Sequence, residues 1–289
     1  MPTSRLFAAI VDRDAAARYV LSRRTPEGGF CYYRTPIWGV EEPNTPDTLA
    51  ALDSLRLLGV EPPEAAVTGR WLDSVQNDDG GYPSLTIGWA ALRALELLGL
   101  LPSVSPAAWL TAWAQRLLEA PRTTTQDWRA ALDGVLRVAE LLDLDAGQRA
   151  ELADLLTVSA DPQGGWARPG ADLETTAVAV QLANRAGIAP QHPDRVLGFL
   201  RGCEDATLGM RLRPDAQVTT VGALWAGQEL AKTLRILPRH PAAIAASLGL
   251  LQRPNGGLGA RHGAVTTLRD TWYGLRAELL LDELDRPQP

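Results

Sequence analysis

The chain has little lysine, little cysteine and no excess of positive charge. Lys232 is the only lysine among 28 basic residues, and 34 acidic residues give a net charge of −6. A chain of this charge is a poor partner for the phosphate backbone, so we expect no nucleic-acid ligand. The two cysteines, Cys31 and Cys203, cannot build a disulfide framework. They favour a reducing compartment, and we expect a cytoplasmic protein.

Long apolar runs are also missing. No stretch approaches the roughly 20 residues that a membrane-spanning helix needs. The N-terminal sequence MPTSRLFAAIVDRD has only a short apolar run before charges appear, so we expect no secretory signal. Hydrophobic residues make up 46% and charged residues 21% of the sequence, as in globular proteins with a large core. No long alternating β pattern appears, and we expect a single all-α domain over residues 1–289.

A glycine pair followed by a large apolar residue recurs along the chain. The four copies are Gly28-Gly29-Phe30, Gly80-Gly81-Tyr82, Gly164-Gly165-Trp166 and Gly256-Gly257-Leu258. Their first glycines are 52, 84 and 92 residues apart, and halving the two larger intervals gives 42 and 46. Two degenerate copies are therefore expected, near Thr125–Trp128 and Leu208–Met210. Six units of helix, loop and helix then fill the chain.

Each glycine loop separates a polar helical pattern from an apolar one. The more polar outer helices are predicted at 64–77, 106–119, 146–159, 192–203 and 240–252. The apolar inner helices are predicted at 48–58, 89–98, 176–186 and 271–281, where leucine and alanine recur at three- and four-residue steps. Gly59, Gly99 and Gly187 are expected to end three of them. Because the last inner helix is as apolar as the others, we expect a closed ring, an (α/α)6 toroid, and not an open solenoid.

The stretch from Trp71 to Tyr82 (WLDSVQNDDGGY) resembles the QW repeat of squalene–hopene and oxidosqualene cyclases. Similar glycine-pair loops recur in the β-subunits of protein farnesyl- and geranylgeranyltransferases. Through its repeats the resemblance covers nearly the whole chain. In QW repeats the glutamine ties the loop to a helix end and the aromatic residue stacks beside it. The resemblance thus implies structural roles for Trp71, Gln76 and Tyr82.

The resemblance also implies that the inner-helix N-termini surround a cavity mouth. There, Asp172-Leu173-Glu174-Thr175-Thr176 resembles the D-x-D-D-T motif of class II terpene cyclases, and more closely the D-x-D-T-T variant of some bacterial cyclases. The middle acid of that motif protonates an alkene or epoxide. Glu174 takes this place, one methylene longer, with Asp172 as its partner. Asp47 and Asp270 start other inner helices and are further candidates. Helix capping is the alternative role for all four acids.

Nine tryptophans against three phenylalanines suit a cavity that stabilises carbocations through aromatic faces. The candidates are the inner-helix residues Trp89, Trp128, Trp225, Trp272 and Tyr273, and the alternative is that they fill core space. Arg213 lies about where the prenyltransferase family places a diphosphate-binding arginine.

Three functions stay open at the level of sequence. The first is a class II-like terpene cyclase acting on an isoprenoid, and the second is a zinc-independent prenyltransferase-like enzyme. The third is a non-catalytic toroid that binds an isoprenoid or a protein. Zinc is not expected, because the aligned ligand positions hold Thr219, Val221 and Asp270, and Mg²⁺ is expected only if the substrate is a diphosphate. A homodimer, a helical partner subunit and peripheral membrane contact are left open.

Overall fold

The computed structural model describes residues 10–32, 42–167, 170–189 and 192–284, which form twelve helices and one two-stranded hairpin. Residues 1–9, where we expect no secretory signal, lie outside this part. The outer helices are α1 (Arg13–Leu21), α3 (Ala65–Asp73), α5 (Ala107–Glu119), α7 (Ala146–Ser159), α9 (Pro193–Cys203) and α11 (Pro241–Leu251). The inner helices are α2 (Thr45–Leu58), α4 (Leu85–Leu97), α6 (Thr125–Ala139), α8 (Leu173–Arg185), α10 (Val221–Thr233) and α12 (Leu268–Leu284). The hairpin pairs β1 (Glu204–Asp205) with β2 (Gly209–Met210).

The inner helices form a closed ring, because α12 packs against both α10 and α2. At the closure, the indole nitrogen of Trp272 on α12 donates to Oδ2 of Asp53 on α2 at 2.5 Å. Glu278, also on α12, accepts the backbone N–H of Val11 at 3.0 Å and pairs with Arg13 at 2.9 Å. The all-α (α/α)6 toroid predicted from the repeats is thus confirmed. No helix of the described ranges is long and apolar enough to span a bilayer.

The inner helices begin three or four residues before the positions predicted from their apolar patterns. Polar N-caps set three of these starts, because Asn44, Ser84 and Asp172 each accept a backbone N–H group from the first turn of the helix. The apolar pattern alone does not reveal a helix start that a polar residue caps. The predicted helix ends are confirmed, since the three closing glycines have φ values of +72°, +68° and +69°.

The first glycine of each pair lies against the start of the next outer helix. Gly164 has φ +106°, and a Cβ there would overlap the carbonyl oxygen of Arg195 on α9. Gly256 has φ +91°, and a Cβ would overlap the carbonyl oxygen of Ala15 on α1. The last unit therefore contacts the first through the same arrangement that joins neighbouring units within the ring.

The second glycine of each pair accommodates an aromatic ring from the next outer helix. The four pairs are Gly29 with Trp71, Gly81 with Trp109, Gly165 with Phe199 and Gly257 with Tyr19. Tyr82 meets the Trp109 ring edge-on at 5.5 Å between centroids. These contacts agree with the structural roles inferred for Trp71 and Tyr82.

Glutamine ties join successive units beside these loops. The Gln76 amide donates to the carbonyl oxygen of Val104, before α5, at 2.7 Å and accepts the N–H of Val104 at 3.0 Å. Gln252 repeats the pattern across the closure, bonding the carbonyl and the N–H of Asp12 at 2.9 and 2.8 Å. Both amides also donate to the first glycine of their own loop, at 3.0 and 2.9 Å. The tie inferred for Gln76 is therefore present, and Gln252 uses the same tie to close the ring.

One of the two degenerate loops lies where it was predicted. In the fifth unit the loop runs through Leu208–Met210, and Gly209 takes a φ of +78°. A Cβ at Gly209 would lie 2.7 Å from the Cα of Ile244 on α11. This loop thus keeps one glycine, Gly209, at the point where its backbone lies against the next outer helix, α11.

The predicted place of the third loop is wrong. Thr125–Trp128 already belongs to α6, and the turn lies at 120–124, because Thr124 caps the helix through a capping box with Asp127. No glycine is present in this turn. Instead, the Arg122 guanidinium donates to the Leu118 carbonyl oxygen at 2.8 Å. In this unit an arginine side chain therefore provides the hydrogen bond to a free carbonyl oxygen at the end of α5.

Candidate active site

A cavity lies between the inner helices, in two adjoining lobes of about 230 and 420 Å³. Both lobes are lined by Trp89, Arg129, Asp133, Arg137, Arg269, Trp272 and Tyr273. Glu174 and Trp225 line the smaller lobe only, and Asp47 lines the larger lobe only. The ring thus brings four of the predicted aromatic residues and two of the predicted acids to one space.

Asp172 is committed to the start of α8. Its Oδ1 accepts the backbone N–H of Thr175 at 2.9 Å, and its Oδ2 accepts the Thr175 hydroxyl at 2.9 Å. Oδ2 also pairs with the Arg129 guanidinium at 2.5 Å, and only 3% of the residue is exposed. Asp172 therefore has the geometry of a helix cap, and it also forms an ion pair with Arg129.

Asp47 and Asp270 are the third residues of their helices and bond back to the caps. The Asp47 carboxylate accepts the Asn44 side-chain amide at 2.8 Å and the Tyr32 backbone N–H at 3.1 Å. The Asp270 carboxylate accepts the Thr267 hydroxyl at 2.8 Å. Burial raises the pKa of both carboxyl groups. Both acids therefore have the geometry of reciprocal capping.

Glu174 is different, because it is the second residue of α8 and points into the smaller lobe. No other described residue lies within hydrogen-bonding or ion-pairing distance of its carboxyl group. Burial raises its pKa, and the neighbouring Asp172 charge raises it further, against the opposing effect of Arg269 and Arg129. Of the four candidate acids, Glu174 alone has no capping role and a carboxyl group free to meet a ligand.

The raised pKa of Glu174 predicts a pH signature in stability. The folded chain keeps the proton at pH values where the unfolded chain, with a glutamate pKa of about 4.3, has lost it. The contribution of Glu174 to folding is therefore greatest below the unfolded pKa and is lost as the pH rises through the folded pKa. We expect Glu174→Gln to gain free energy of unfolding, relative to the parent, as the pH rises from about 4.3 towards the raised pKa of the folded state.

Urea denaturation of both proteins across this range measures the difference. Glu151→Gln on the exposed surface of α7 is the control and should track the parent at every pH. Parallel curves for Glu174→Gln and the parent would contradict a raised pKa.

The aromatic wall of the cavity comes from α10 and α12. Tyr273 stacks on Trp225 at 4.7 Å between ring centroids and on Trp272 at 5.1 Å. The Trp225 indole nitrogen donates to Glu229 at 3.3 Å, and that of Trp272 donates to Asp53. The N–H groups are thus satisfied by carboxylates, which fixes how the rings face the cavity.

Trp128 and Arg213, two other predicted binding residues, do not line either lobe. Trp128 packs on the core, and the Arg122 guanidinium carbon lies 5.6 Å from the centroid of its ring. It is one residue away from Arg129, which turns it about 100° from the cavity face of α6. The Arg213 side chain is half exposed and pairs with Asp215 at 3.4 Å. Its loop position therefore does not bring it to the ring centre.

Four arginines that the sequence interpretation does not select as binding residues line the cavity, namely Arg129, Arg137, Arg269 and Arg276. Of these, Arg269 belongs to an inner-helix start where the sequence places candidate chemistry. Two of them, with Asp133 between, form a charged stripe at four-residue steps along α6, which is a helical signal readable from the sequence. Several lie on aromatic faces: Arg137 is 4.6 Å from the Trp89 centroid, and Arg276 is 5.3 Å from that of Trp272.

Arg269 has no carboxylate partner within ion-pairing distance in the part of the chain that the structure describes. It donates to the Tyr273 hydroxyl at 3.3 Å, and its guanidinium lies 5.2 Å from the Tyr273 centroid. The other three are paired: Arg129 with Asp172 at 2.5 Å, Arg137 with Asp133 at 2.8 Å, and Arg276 with Glu229 at 3.3 Å. Arg269 is therefore the cavity cation most available to an anionic ligand.

Metal-ligand geometry is absent from the described ranges, where no three histidine, cysteine, aspartate or glutamate side chains converge. Cys203 ends the outer helix α9, and burial raises the pKa of its thiol to about 12. Because Mg²⁺ is usually held by one or two carboxylates together with substrate phosphates, a Mg²⁺–diphosphate does not require such a cluster.

No protein-family model matches the chain. One curated protein, drimenyl diphosphate synthase of Streptantibioticus cattleyicolor, is 29% identical over 228 residues. The alignment covers 70% of this chain and 42% of that protein, so this chain spans less than half the length of that relative.

Solved structures with the same ring have little sequence identity to this chain. A Candida albicans protein geranylgeranyltransferase-I complexed with GGPP gives a TM-score of 0.69 at 11% identity, over 93% of this chain and 91% of that one. A Scytonema type II terpene cyclase in complex with geranylgeranyl dihydroxybenzoate gives 0.58 at 18%, over 94% and 97%. A protein from Actinoplanes gives 0.55 at 20%, over 93% and 99%. The chain thus has the α/α toroid fold of protein prenyltransferases and type II terpene cyclases, and its sequence resembles a terpene synthase, as its repeats predicted.

Proposed function

We propose that the chain is a class II-type isoprenoid cyclase in which Glu174 protonates a double bond of the substrate. The observation that carries this proposal is the unpartnered Glu174 carboxyl group, which faces the cavity with a raised pKa. A general acid works best when its pKa lies near the working pH. The similarity to drimenyl diphosphate synthase supports an isoprenoid substrate that carries a diphosphate.

The proposed reaction is an isomerisation. The Glu174 proton adds to one carbon of an alkene, whose π electrons form the new C–H bond and leave a cation on the neighbouring carbon. The π electrons of the next alkene then form a ring C–C bond and move the cation onward. A water molecule takes a proton from the final cation, which restores a double bond, and the resulting hydronium ion returns a proton to the Glu174 carboxylate through solvent. The C–O bond to the diphosphate is not broken.

The cavity walls suit these charges. Trp225, Trp272 and Tyr273 present π systems that attract a cation without offering a nucleophile that would trap it. Arg269 is the second residue of α12, so its guanidinium and the helix N-terminus both favour an anion at the mouth. We therefore place the diphosphate at Arg269 and the hydrocarbon chain against the aromatic wall.

Product analysis tests the proposal. The purified chain is incubated with geranyl, farnesyl and geranylgeranyl diphosphates, with and without Mg²⁺. The products are dephosphorylated, separated by gas chromatography and distinguished from the linear alcohols of equal mass by their retention times and fragmentation patterns. The expected result is a cyclic isomer that retains its diphosphate until the phosphatase is added. Transfer of the prenyl group to an added acceptor, or saturable binding without conversion, would instead favour a prenyltransferase-like enzyme or a binding toroid.

Arg269→Gln should weaken recognition of the diphosphate. Loss of a charge-assisted hydrogen bond of about 1.5–3 kcal/mol predicts a 10- to 100-fold rise in KM or Kd for prenyl diphosphates. Binding of the matching uncharged prenyl alcohol should change little. The exposed Arg213→Gln is the control and should behave as the parent. An unchanged Kd in Arg269→Gln would mean that the diphosphate binds elsewhere.

A further inference from the structure

A glycine on the neighbouring inner helix lies directly opposite Glu174. Gly222 is the second residue of α10, the same register that Glu174 holds on α8. A Cβ built on Gly222 would overlap Oε1 of Glu174 and lie 2.9 Å from its Cδ. The Glu174 carboxyl group thus occupies the space that any other side chain at position 222 would fill.

The backbone at Gly222 does not require glycine. The residue lies in the first turn of a right-handed helix, where Thr220 caps α10 by accepting the N–H of Ala223 at 3.0 Å. Glycine in a helix costs roughly 1 kcal/mol relative to alanine. Because φ at Gly222 is not positive, conformation does not account for the glycine, and the space taken by Glu174 does.

The two helix starts cannot readily move apart to admit a methyl group. The first N–H of α8, from Leu173, donates to the carbonyl oxygen of Leu212 in the next loop at 2.8 Å. The first N–H of α10, from Val221, donates to that of Ala260 at 2.9 Å. By contrast, the Glu174 carboxyl group is the far end of a flexible side chain. An alanine at position 222 would therefore leave the helices in place and displace the carboxyl group.

We propose that Gly222 is a positioning residue that accommodates the extra methylene of Glu174 and sets where the acid meets the substrate. In the terpene cyclase motif that Asp172–Thr176 resembles, an aspartate stands where this chain has Glu174. Glutamate at position 174 and glycine at position 222 are then a size-matched pair. The catalytic consequence rests on the proposed function, whereas the packing of the pair does not.

A double-mutant cycle tests the pair through activity. Gly222→Ala should lower kcat by about 10- to 100-fold in the parent, because displacing a reacting group by about an ångström has this effect. The KM for the diphosphate should change little. In a Glu174→Asp background, where the shorter side chain leaves room, Gly222→Ala should change kcat by no more than about twofold. Equal losses in both backgrounds would overturn the proposal.

Thermal unfolding of the same four proteins gives a readout that does not need catalysis. Gly222→Ala should raise Tm with Asp at 174, through the better helix propensity of alanine, and should raise it less or lower it with Glu at 174. The control is Gly198→Ala inside α9, where a Cβ meets no atom within 4 Å. It should raise Tm equally in both backgrounds.

The two measurements separate the two ideas. If the parent cyclises no isoprenoid, the proposed function fails, and unequal Tm shifts for Gly222→Ala still support the pair. Equal Tm shifts for Gly222→Ala in the two backgrounds would overturn the pair, whatever the activity.

Discussion

Glu174→Gln is expected to lower the rate of cyclisation by about 10²- to 10⁴-fold, the usual contribution of a general acid. Glutamine keeps the length and shape of the side chain, so the contact with Gly222 and the packing of the cavity should persist. What it lacks is the acidic proton that Glu174 would donate to form the first C–H bond. The measurement is the rate of cyclic product formation at saturating substrate, with circular dichroism and Tm to confirm the fold.

Asp47→Asn and Asp270→Asn are the matched controls. Both acids have raised pKa values, but their carboxylates accept hydrogen bonds from the residues that cap their helices. Asparagine keeps an oxygen that can accept these bonds. Even the loss of one neutral hydrogen bond would cost only about 1 kcal/mol, so we expect the rate of cyclisation to stay within about tenfold of the parent. Parent-like activity in Glu174→Gln would remove Glu174 as the acid. Loss of activity in Asp47→Asn instead would move the acid to the larger lobe.

The fold was largely readable from the sequence, because the glycine pairs are required by contacts between units. Gly164 and Gly256 must be glycine, since each lies against the backbone of the next outer helix, and their spacing therefore records the repeat. The third loop has no glycine signal in the sequence, because the Arg122 guanidinium binds the Leu118 carbonyl oxygen at the end of α5. The helix starts were misplaced because polar caps such as Asn44 precede the apolar pattern.

The candidate site was readable in part. Glu174 stands in a motif whose spacing places it at a helix start, which the structure bears out. A sequence does not say which face of a buried helix looks inward when all faces are covered by neighbours. The sequence therefore favours Trp128 as a cavity residue, although the charged stripe through Arg129 and Asp133 marks the inward face of α6. The sequence carries no signal for Gly222, because its role depends on a contact between α8 and α10 that exists only in the folded ring.

Gly256→Ala should have a large effect on stability, because it acts where the ring closes. A left-handed φ of +91° costs a non-glycine residue about 1–2 kcal/mol. The new Cβ would also overlap the carbonyl oxygen of Ala15 and lie 2.5 Å from its carbonyl carbon. These are backbone atoms of α1, so relief requires the first helix to move away, which also strains the tie between Gln252 and Asp12. We expect a loss of about 3 kcal/mol or more in the free energy of unfolding.

Gly59→Ala separates backbone strain from the contact that closes the ring. Gly59 also has a left-handed φ, +72°, but a Cβ there would meet no atom within 4 Å. This variant should therefore lose only the strain term of about 1–2 kcal/mol. Urea denaturation of both variants gives the difference, which measures how strongly the first and last units hold each other. Equal losses would mean that α1 moves aside at no cost.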